Sequence, residues 1–524
     1  MKPLERIFRT LLACLASAVL VGVATGPADA QTPVVRFVVE RFVVEGDSPL
    51  SETRTQEVLA PFTGEHAGVD GLLAAADALE RAIEEAGVAF QRVVLPPQSL
   101  QDGTVVLRVA VFRVAQVEVQ GARYHSEANV RRSVPSLREG ETPDTGAIAR
   151  DMAAANRLGW KTTSLTFRES ETDPEGLDAV LEVRDRRPWL AWSGLDNTGS
   201  ADTGPLRWSL GANAGNLFDR DHSLNASYVT SPGHTDQVRQ WAASYTAPAH
   251  GLGGTVSAYY VRSDVDTGRV LDAFDVSGAG EFAGLQYTRE LRRSGRLSQR
   301  LSVGIDDRRF DNEVLFAGTD VAPPAVRSRP VSLGYAAQFA GDGWGLDVRV
   351  QYARSLESGS GNDDTAYGLN RAGARPGWDV VRGGATLTLS LPAGWTARGL
   401  VDGQSANEPL IAGEQYGLGG AGTVRGFSER EVAGDDGVRG SVELWAPAAA
   451  DAGLRFLAFA DAGRVSDAAH GAARSGDTIA SVGAGLRWSW KEHVALLLDV
   501  GMIVEGTATR ESGARGHLNL LVRY

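Results

Sequence analysis

Val331-Ser332-Leu333-Gly334-Tyr335-Ala336-Ala337-Gln338-Phe339 is followed, after Ala340-Gly341-Asp342-Gly343, by Trp344-Gly345-Leu346-Asp347-Val348-Arg349-Val350-Gln351-Tyr352. In both runs large apolar residues alternate with small or polar ones, the period of a β-strand. The polar face of the second run carries Asp347, Arg349 and Gln351, which a dry interior would not accept. One face therefore meets lipid and the other water, as in a transmembrane barrel.

Outward from this pair, residues 188–524 keep the same texture. Sixteen such runs lie near 189–196, 206–214, 222–230, 240–246, 254–262, 280–290, 299–306, 331–339, 344–352, 384–391, 395–402, 438–445, 454–461, 479–488, 493–501 and 516–524. An even count suits a bacterial barrel with both ends on one side. Taken alternately, one set of connections has 9, 9, 17, 24, 31, 35, 17 and 14 residues and the other 7, 7, 8, 4, 3, 8 and 4. Long loops face outward and short turns face the periplasm in such barrels. The short set lies on the side of both barrel termini, so whatever precedes the barrel is periplasmic.

Two modules precede it. Phe42-Val43-Val44-Glu45-Gly46 and Val117-Glu118-Val119-Gln120-Gly121 are matching strand-glycine signals 75 residues apart. Helical patterns follow, with Leu72, Ala76, Leu79 and Ile83 on one face in the first module and Ile148, Met152, Ala155 and Leu158 in the second. Strand-like runs 90–95 and 105–111, then 161–168 and 177–184, close the modules. The expected fold is two α+β domains of strand-helix-helix-strand-strand order, 31–113 and 114–187, followed by a sixteen-stranded antiparallel transmembrane barrel, 188–524. Each small sheet has edge strands that can accept a strand from an unfolded chain or serve as a blunted spacer. The repeated Arg-Phe-Val-Val-Glu of 36–40 and 41–45 reads as a lengthened first strand.

The N-terminus has Lys2, Arg6 and Arg9, an apolar run from Leu11 to Ala24, and Ala28-Asp29-Ala30, the pattern of a signal peptide cleaved before Gln31. The run is 14 residues, short of the ~20 that a spanning helix needs. Cleavage there removes Cys14, the only cysteine, and with it disulfides and thiolate metal sites. Residues 31–524 keep 49 Lys and Arg against 63 Asp and Glu, a net charge of −14, which disfavours a nucleic-acid partner. Lysine occurs only at 2, 161 and 491, which reads as compositional bias.

The longest outer loop, 403–437, holds Val424-Arg425-Gly426-Phe427, and the thirteenth run continues into Phe459-Ala460-Asp461-Ala462-Gly463. Leu454, Phe456, Ala458 and Ala460 form the apolar face there, so Asp461 points with Arg455 into the lumen. Two small domains, sixteen strands, a V-R-G-[FY] tip on the sixth outer loop and F-x-D-x-G on strand thirteen resemble the two-partner secretion transporters, the haemolysin secretion/activation type of the barrel-assembly superfamily. The resemblance spans essentially the whole chain after the signal peptide. It implies that Arg425 reaches back to pair with Asp461, that Val424, Gly426 and Phe427 shape the tip, and that Phe459 and Gly463 belong to the partner strand. Two unit charges ~4 Å apart attract by about 4 kcal/mol at an effective dielectric of about 20, much of it returned as desolvation, so a conformational latch is expected. The last run, ending Leu520-Leu521-Val522-Arg523-Tyr524, looks like the signal read by the barrel-assembly machinery.

The resemblance implies export of an unfolded partner, an adhesin or haemolysin type exoprotein, bound by the polypeptide-transport-associated (POTRA) domains. The alternatives are a barrel assembly factor and a passive solute channel. Many relatives carry an N-terminal plug helix; here the first strand follows the cleavage site so closely that closure is expected from the sixth loop or the small domains. Gly417-Leu418-Gly419-Gly420-Ala421-Gly422 matches G-x-G-x-x-G without the βαβ setting and reads as loop flexibility. Asp363-Asp364 and Asp435-Asp436 read as solvated loop charge rather than calcium sites. Without a catalytic constellation, no enzymatic role, cofactor or metal is expected.

Overall fold

The computed structural model describes residues 36–524 except 87–89, 100–101, 174, 202, 265–267, 271–273, 277–278, 292–293, 312–314, 317–318, 321–323, 450–452, 469–475 and 509. The signal segment and Cys14 lie outside the described residues. The chain divides into two compact units at Phe112/Arg113.

In the first unit, β1 (Arg36–Val39), β2 (Arg41–Glu45), α1 (Glu52–Leu59), β3 (Gly64–Ala67), α2 (Asp70–Glu85), β4 (Gln91–Val94) and β5 (Thr104–Val111) follow in order. The main sheet runs β2-β5-β4, with β2 parallel to β5 and β4 antiparallel. Helix α2 buries Leu72, Ala76, Leu79 and Ile83 against Val105, Leu107 and Val109. The repeated Arg-Phe-Val-Val-Glu is not one lengthened strand. Its first copy pairs with β3 in a separate two-stranded sheet and its second is β2. The separate pairing exists because Gly64-Glu65-His66-Ala67 forms a strand that sequence periodicity did not reveal, with Phe37 stacked on His66 at 5.9 Å.

The second module consists of β6 (Arg113–Gln120), α3 (Glu127–Arg132), α4 (Thr145–Asn156), β7 (Lys161–Glu169) and β8 (Gly176–Asp185), in sheet order β6-β8-β7. The repeat shows at atomic detail in the two glycines. Gly46 and Gly121 have φ of 93° and 82°, and a Cβ on either would sit 2.5 Å from the carbonyl oxygen of Val109 or Val183 on the neighbouring strand. Replacing Gly121 with alanine combines a left-handed backbone with that collision and is expected to destabilise the second module by about 2 kcal/mol or more. Limited proteolysis of the whole protein in detergent checks this: cleavage within 113–187 should quicken while the barrel stays intact.

Sixteen barrel strands follow. The first eight are Trp189–Asp196, Arg207–Leu217, His222–Thr230, Arg239–Ala249, Gly254–Ser263, Gly280–Glu290, Leu297–Phe310 and Pro330–Ala340, the eighth with a separate outer piece, Val326–Ser328. The rest are Trp344–Ser355, Asp379–Ser390, Thr396–Ala406, Asp436–Trp445, Leu454–Ser466, Gly476–Trp490, Val494–Glu505 and Ala514–Arg523. All pair antiparallel, and the last closes on the first over Trp192↔Arg523 to Asp196↔Asn519. Many strands run several residues past their predicted outer ends, so the sheet rises above the belt that alternation marks. Val442, Val500, Phe456 and Met502 are more than half exposed on the outer face, an apolar band that requires lipid. Among the described residues no helix is long and apolar enough to cross a membrane.

Candidate functional site

The sixth outer loop, between Ala406 and Asp436, turns back into the lumen. Its tip is held by Arg425, whose residue is 5% exposed. The guanidinium Nε donates to Asp461 Oδ2 at 2.7 Å and Nη2 to Asp461 Oδ1 at 2.8 Å, a two-pronged pair that lysine cannot make. The backbone N–H of Arg425 donates to the same carboxylate at 3.2 Å, and Ser441 Oγ donates to it at 2.7 Å. Nη1 lies 3.0 Å from Glu443 and 3.9 Å from Asp499. Below the guanidinium, Cζ sits 3.5 Å from the centroid of the Phe459 ring. Arg425 thus neutralises carboxylates from strands twelve, thirteen and fifteen, while Arg487 takes Asp499 with two bonds of 2.8 Å.

The rest of the tip explains its residue types. Gly426 has φ 96° and donates its N–H to His517 Nε2 at 2.9 Å. A Cβ on Gly501 of strand fifteen would lie 2.6 Å from the Gly426 nitrogen, so glycines on both sides let two backbones touch. Val424 and Phe427 are fully buried with Leu418, Val465 and Ile479. Gly463 faces Leu418, where a Cβ would approach Cδ1 to 2.6 Å. The run Gly417–Gly422 is not a loose loop. Tyr416–Leu418 pairs with Val432–Gly434, Thr423 Oγ1 bonds both N–H and C=O of Gly419, and a Cβ on Gly419 would meet Ser428 O at 2.4 Å. Gly417, Gly419 and Gly420 serve close packing, whereas Gly422 faces open space.

Sequence reasoning missed the loop's other end. Glu414 is 2% exposed and accepts from Arg308 on strand seven at 2.8 Å, with Arg382 of strand ten at 3.5 Å. Strands seven and fifteen lie half the ring apart, so the loop crosses the lumen and is fastened to opposite walls. Leu410 and Ile411, just before Glu414, are buried with Phe282, Phe310, Tyr367 and Trp378. Two large aliphatics in an otherwise polar outer loop were the available signal that this segment is interior.

Asp435 departs from the solvated reading altogether, with 0% exposure. It accepts from Arg371 of loop five with both guanidinium nitrogens, from Leu410 N at 2.9 Å and from Ala468 N of loop seven at 2.8 Å. Asp363 caps the short helix α5 (Asp364–Asn370) by accepting from Ala366 N at 2.9 Å. Asp435 is buried because one carboxylate there satisfies donors from three outer loops at once.

A closed barrel with a lipid-facing belt, a charged lumen crossed by its own loop, and a strand-helix module packed on the short-turn side defines an outer-membrane transporter with periplasmic domains. The sequence model of the haemolysin secretion/activation protein ShlB/FhaC/HecB matches residues 176–488, and that of the ShlB-type POTRA domain matches residues 37–110. The chain belongs to this family, the two-partner secretion outer-membrane transporters. It is 26% identical over 428 residues to the outer membrane transporter CdiB of Escherichia coli O6:K15:H31 (strain 536 / UPEC), covering 76% of this chain and 67% of that one. CdiB-2 of Burkholderia pseudomallei (strain 1026b) is 24% identical over 427 residues, with 78% and 69% covered. In fold, the chain is similar to solved structures of CdiB from Escherichia coli (TM-score 0.72, 19% identity, 95% and 93% covered) and from Acinetobacter baumannii (0.63, 17%, 99% and 97%).

Proposed function

We propose that this transporter secretes one large partner exoprotein, of adhesin or haemolysin type, in an unfolded state. The small domains, 31–113 and 114–187, receive the chain in the periplasm, and the barrel passes it outward without a nucleotide. The observation that carries this reading is the sixth loop: a strap held across the lumen at both ends by ion pairs rather than by covalent structure can be moved aside by a passing polypeptide. Arg425 and Asp461 form its latch, and Val424, Gly426, Phe427, Phe459 and Gly463 shape the seat.

The second module's edges favour reception on the first. Asn156 bonds both N–H and C=O of Thr163 on β7, at 2.7 and 2.9 Å, and Glu139 with Arg131 does the same to Val117 on β6. Such blunting prevents strand addition. Among the described residues, no side-chain hydrogen bond of the kind that blunts β6 and β7 is seen on the backbone of the edge strand β2, where an incoming extended segment would pair.

Deleting the gene and comparing proteins of the medium and cell surface with the parent strain tests the reading. Loss of one or a very few large exported proteins is expected, with other barrels intact. Broad loss of outer-membrane barrels would instead make this an assembly factor, and no protein loss with altered solute uptake would make it a channel.

A further inference from the structure

Lys161, one of only three lysines in the chain, is 3% exposed. It opens β7, and its Nζ donates to Asp221 Oδ2 at 2.7 Å and to Asn129 Oδ1 at 2.5 Å. Asp221 belongs to the barrel, in the first periplasmic turn between strands two and three. Burial pushes the Lys161 ammonium below its ordinary value while Asp221 pulls the other way.

The whole turn is gripped in the same manner. The His125 imidazole, buried, lies between Asp185 at 3.0 Å and Asp221 at 3.6 Å. Asn216 accepts from Asn129 Nδ2 at 3.1 Å and donates to Tyr124 O at 2.9 Å. Asp219 accepts from the N–H and hydroxyl of Ser126, and its carbonyl accepts from Arg132 at 3.1 Å. Trp160 packs on Gly215 so closely that a Cβ there would lie 2.3 Å from the indole nitrogen. Farther round the rim, Arg157 meets Glu290 at 3.0 Å.

The turn itself is strained. Asn216, Phe218, Asp219 and Asp221 all have left-handed φ, between 49° and 61°. Asn and Asp tolerate that region, but Phe does not, and Phe218 is 77% exposed, so packing on its own ring does not repay the strain. Residues of this kind persist where the surroundings over-determine them. The bonds that do so come from the second small domain together with the turn's own, in which Asn216 Nδ2 donates to Asp219 Oδ1 and the Asp221 N–H to Asn216 Oδ1, each at 3.2 Å.

We infer that Lys161 is a positioning residue: it pins the second small domain to the first periplasmic turn at a fixed angle, so that a chain received in the periplasm meets the pore mouth in one register. The joint is a socket, not a hinge. A compact ammonium suits it, because two acceptors converge on one point where the broad guanidinium fork would not fit. The inference rests on the export reading above.

The test uses the full chain with Cys14 replaced by alanine and spin labels on cysteines placed at Glu171 and Asp342. The parent should show one narrow distance distribution between domain and barrel. Lys161→Met and Lys161→Arg should broaden it and lower export of the partner at least tenfold, with the barrel assembled normally. A cysteine pair at Ser126 and Asp219, whose side chains touch, should restore export to unlabelled Lys161→Met when oxidised and lose it again on reduction. If Lys161→Met fails to assemble, Asp219→Asn, which frees the same turn, carries the same expectations. Wild-type export with a broadened distribution, or an unchanged distribution, overturns the inference. A parent strain that loses no exported protein on gene deletion, yet shows the expected distances, sinks the export reading and leaves the rigid joint standing.

Discussion

Arg425→Ala lowers export of the partner at least tenfold while the barrel still assembles and resists heat. The expectation follows from what the missing guanidinium leaves behind. Asp461, at 2% exposure, would face Glu443 and Asp499, whose other cations, Arg398 at 3.6 Å and Arg487 at 2.8 Å, pair with those two carboxylates and leave Asp461 without one. Removing one partner of a buried pair costs about 3–5 kcal/mol, because the remaining charge is uncompensated. The tip relieves that cost by leaving its seat, which exposes Val424 and Phe427 and frees the loop at one wall. Arg425→Lys keeps the charge near the Phe459 ring but loses the fork, and should fall between wild type and alanine. Immunoblots of partner in the medium, with protease sensitivity of the loop tip on intact cells, check both. Normal assembly with wild-type export from Arg425→Ala would show that the tip is a stabilising contact and not a latch.

How much of this was legible in the sequence depends on the range of the signal. Alternation is local and survives in every lipid-facing strand, because lipid on one side and water on the other act on each residue separately. That is why Asp461 could be assigned to the inner face from Leu454, Phe456 and Ala458 alone. The path of a loop across a lumen has no period. Glu414 and Asp435 therefore looked like ordinary loop acids, although one meets Arg308 and the other Arg371 in buried contacts. The strand β3 escaped for a related reason: Gly64-Glu65-His66-Ala67 has little strand propensity and exists through its pairing with β1. Lys161 stood out only by its rarity, and rarity does not say what an ammonium touches.

Asp435→Ala should turn a quiet pore into a leaky one. The carboxylate is the point where loops five, six and seven meet, accepting from Arg371, Leu410 N and Ala468 N, while Arg371 also donates to Leu410 O and to Asp467 at 2.8 Å. Loop five contributes Tyr367 and Trp378, both fully buried among lumen-facing residues of strands five to ten such as Val261, Phe282 and Phe310. The outer end of the lumen is filled on that side by loop five and crossed by loop six, with Asp435 joining the two. Without it, the buried Leu410 N–H and the partly buried Ala468 N–H lose their acceptor, at about 1–3 kcal/mol each, and Arg371 keeps only Leu410 O and the half-exposed Asp467. The loops should then part without disturbing the Arg425 latch, because the seat of Asp461 shares no residue with this cluster. Purified protein in planar bilayers is expected to show several-fold more frequent openings, and cells to become sensitive to glycopeptide antibiotics too large for ordinary porins. Asp467→Ala, which removes only the exposed contact, should change little. A closed baseline in Asp435→Ala matching the parent would mean that loop six alone, fastened by Glu414 and Arg425, closes the resting pore.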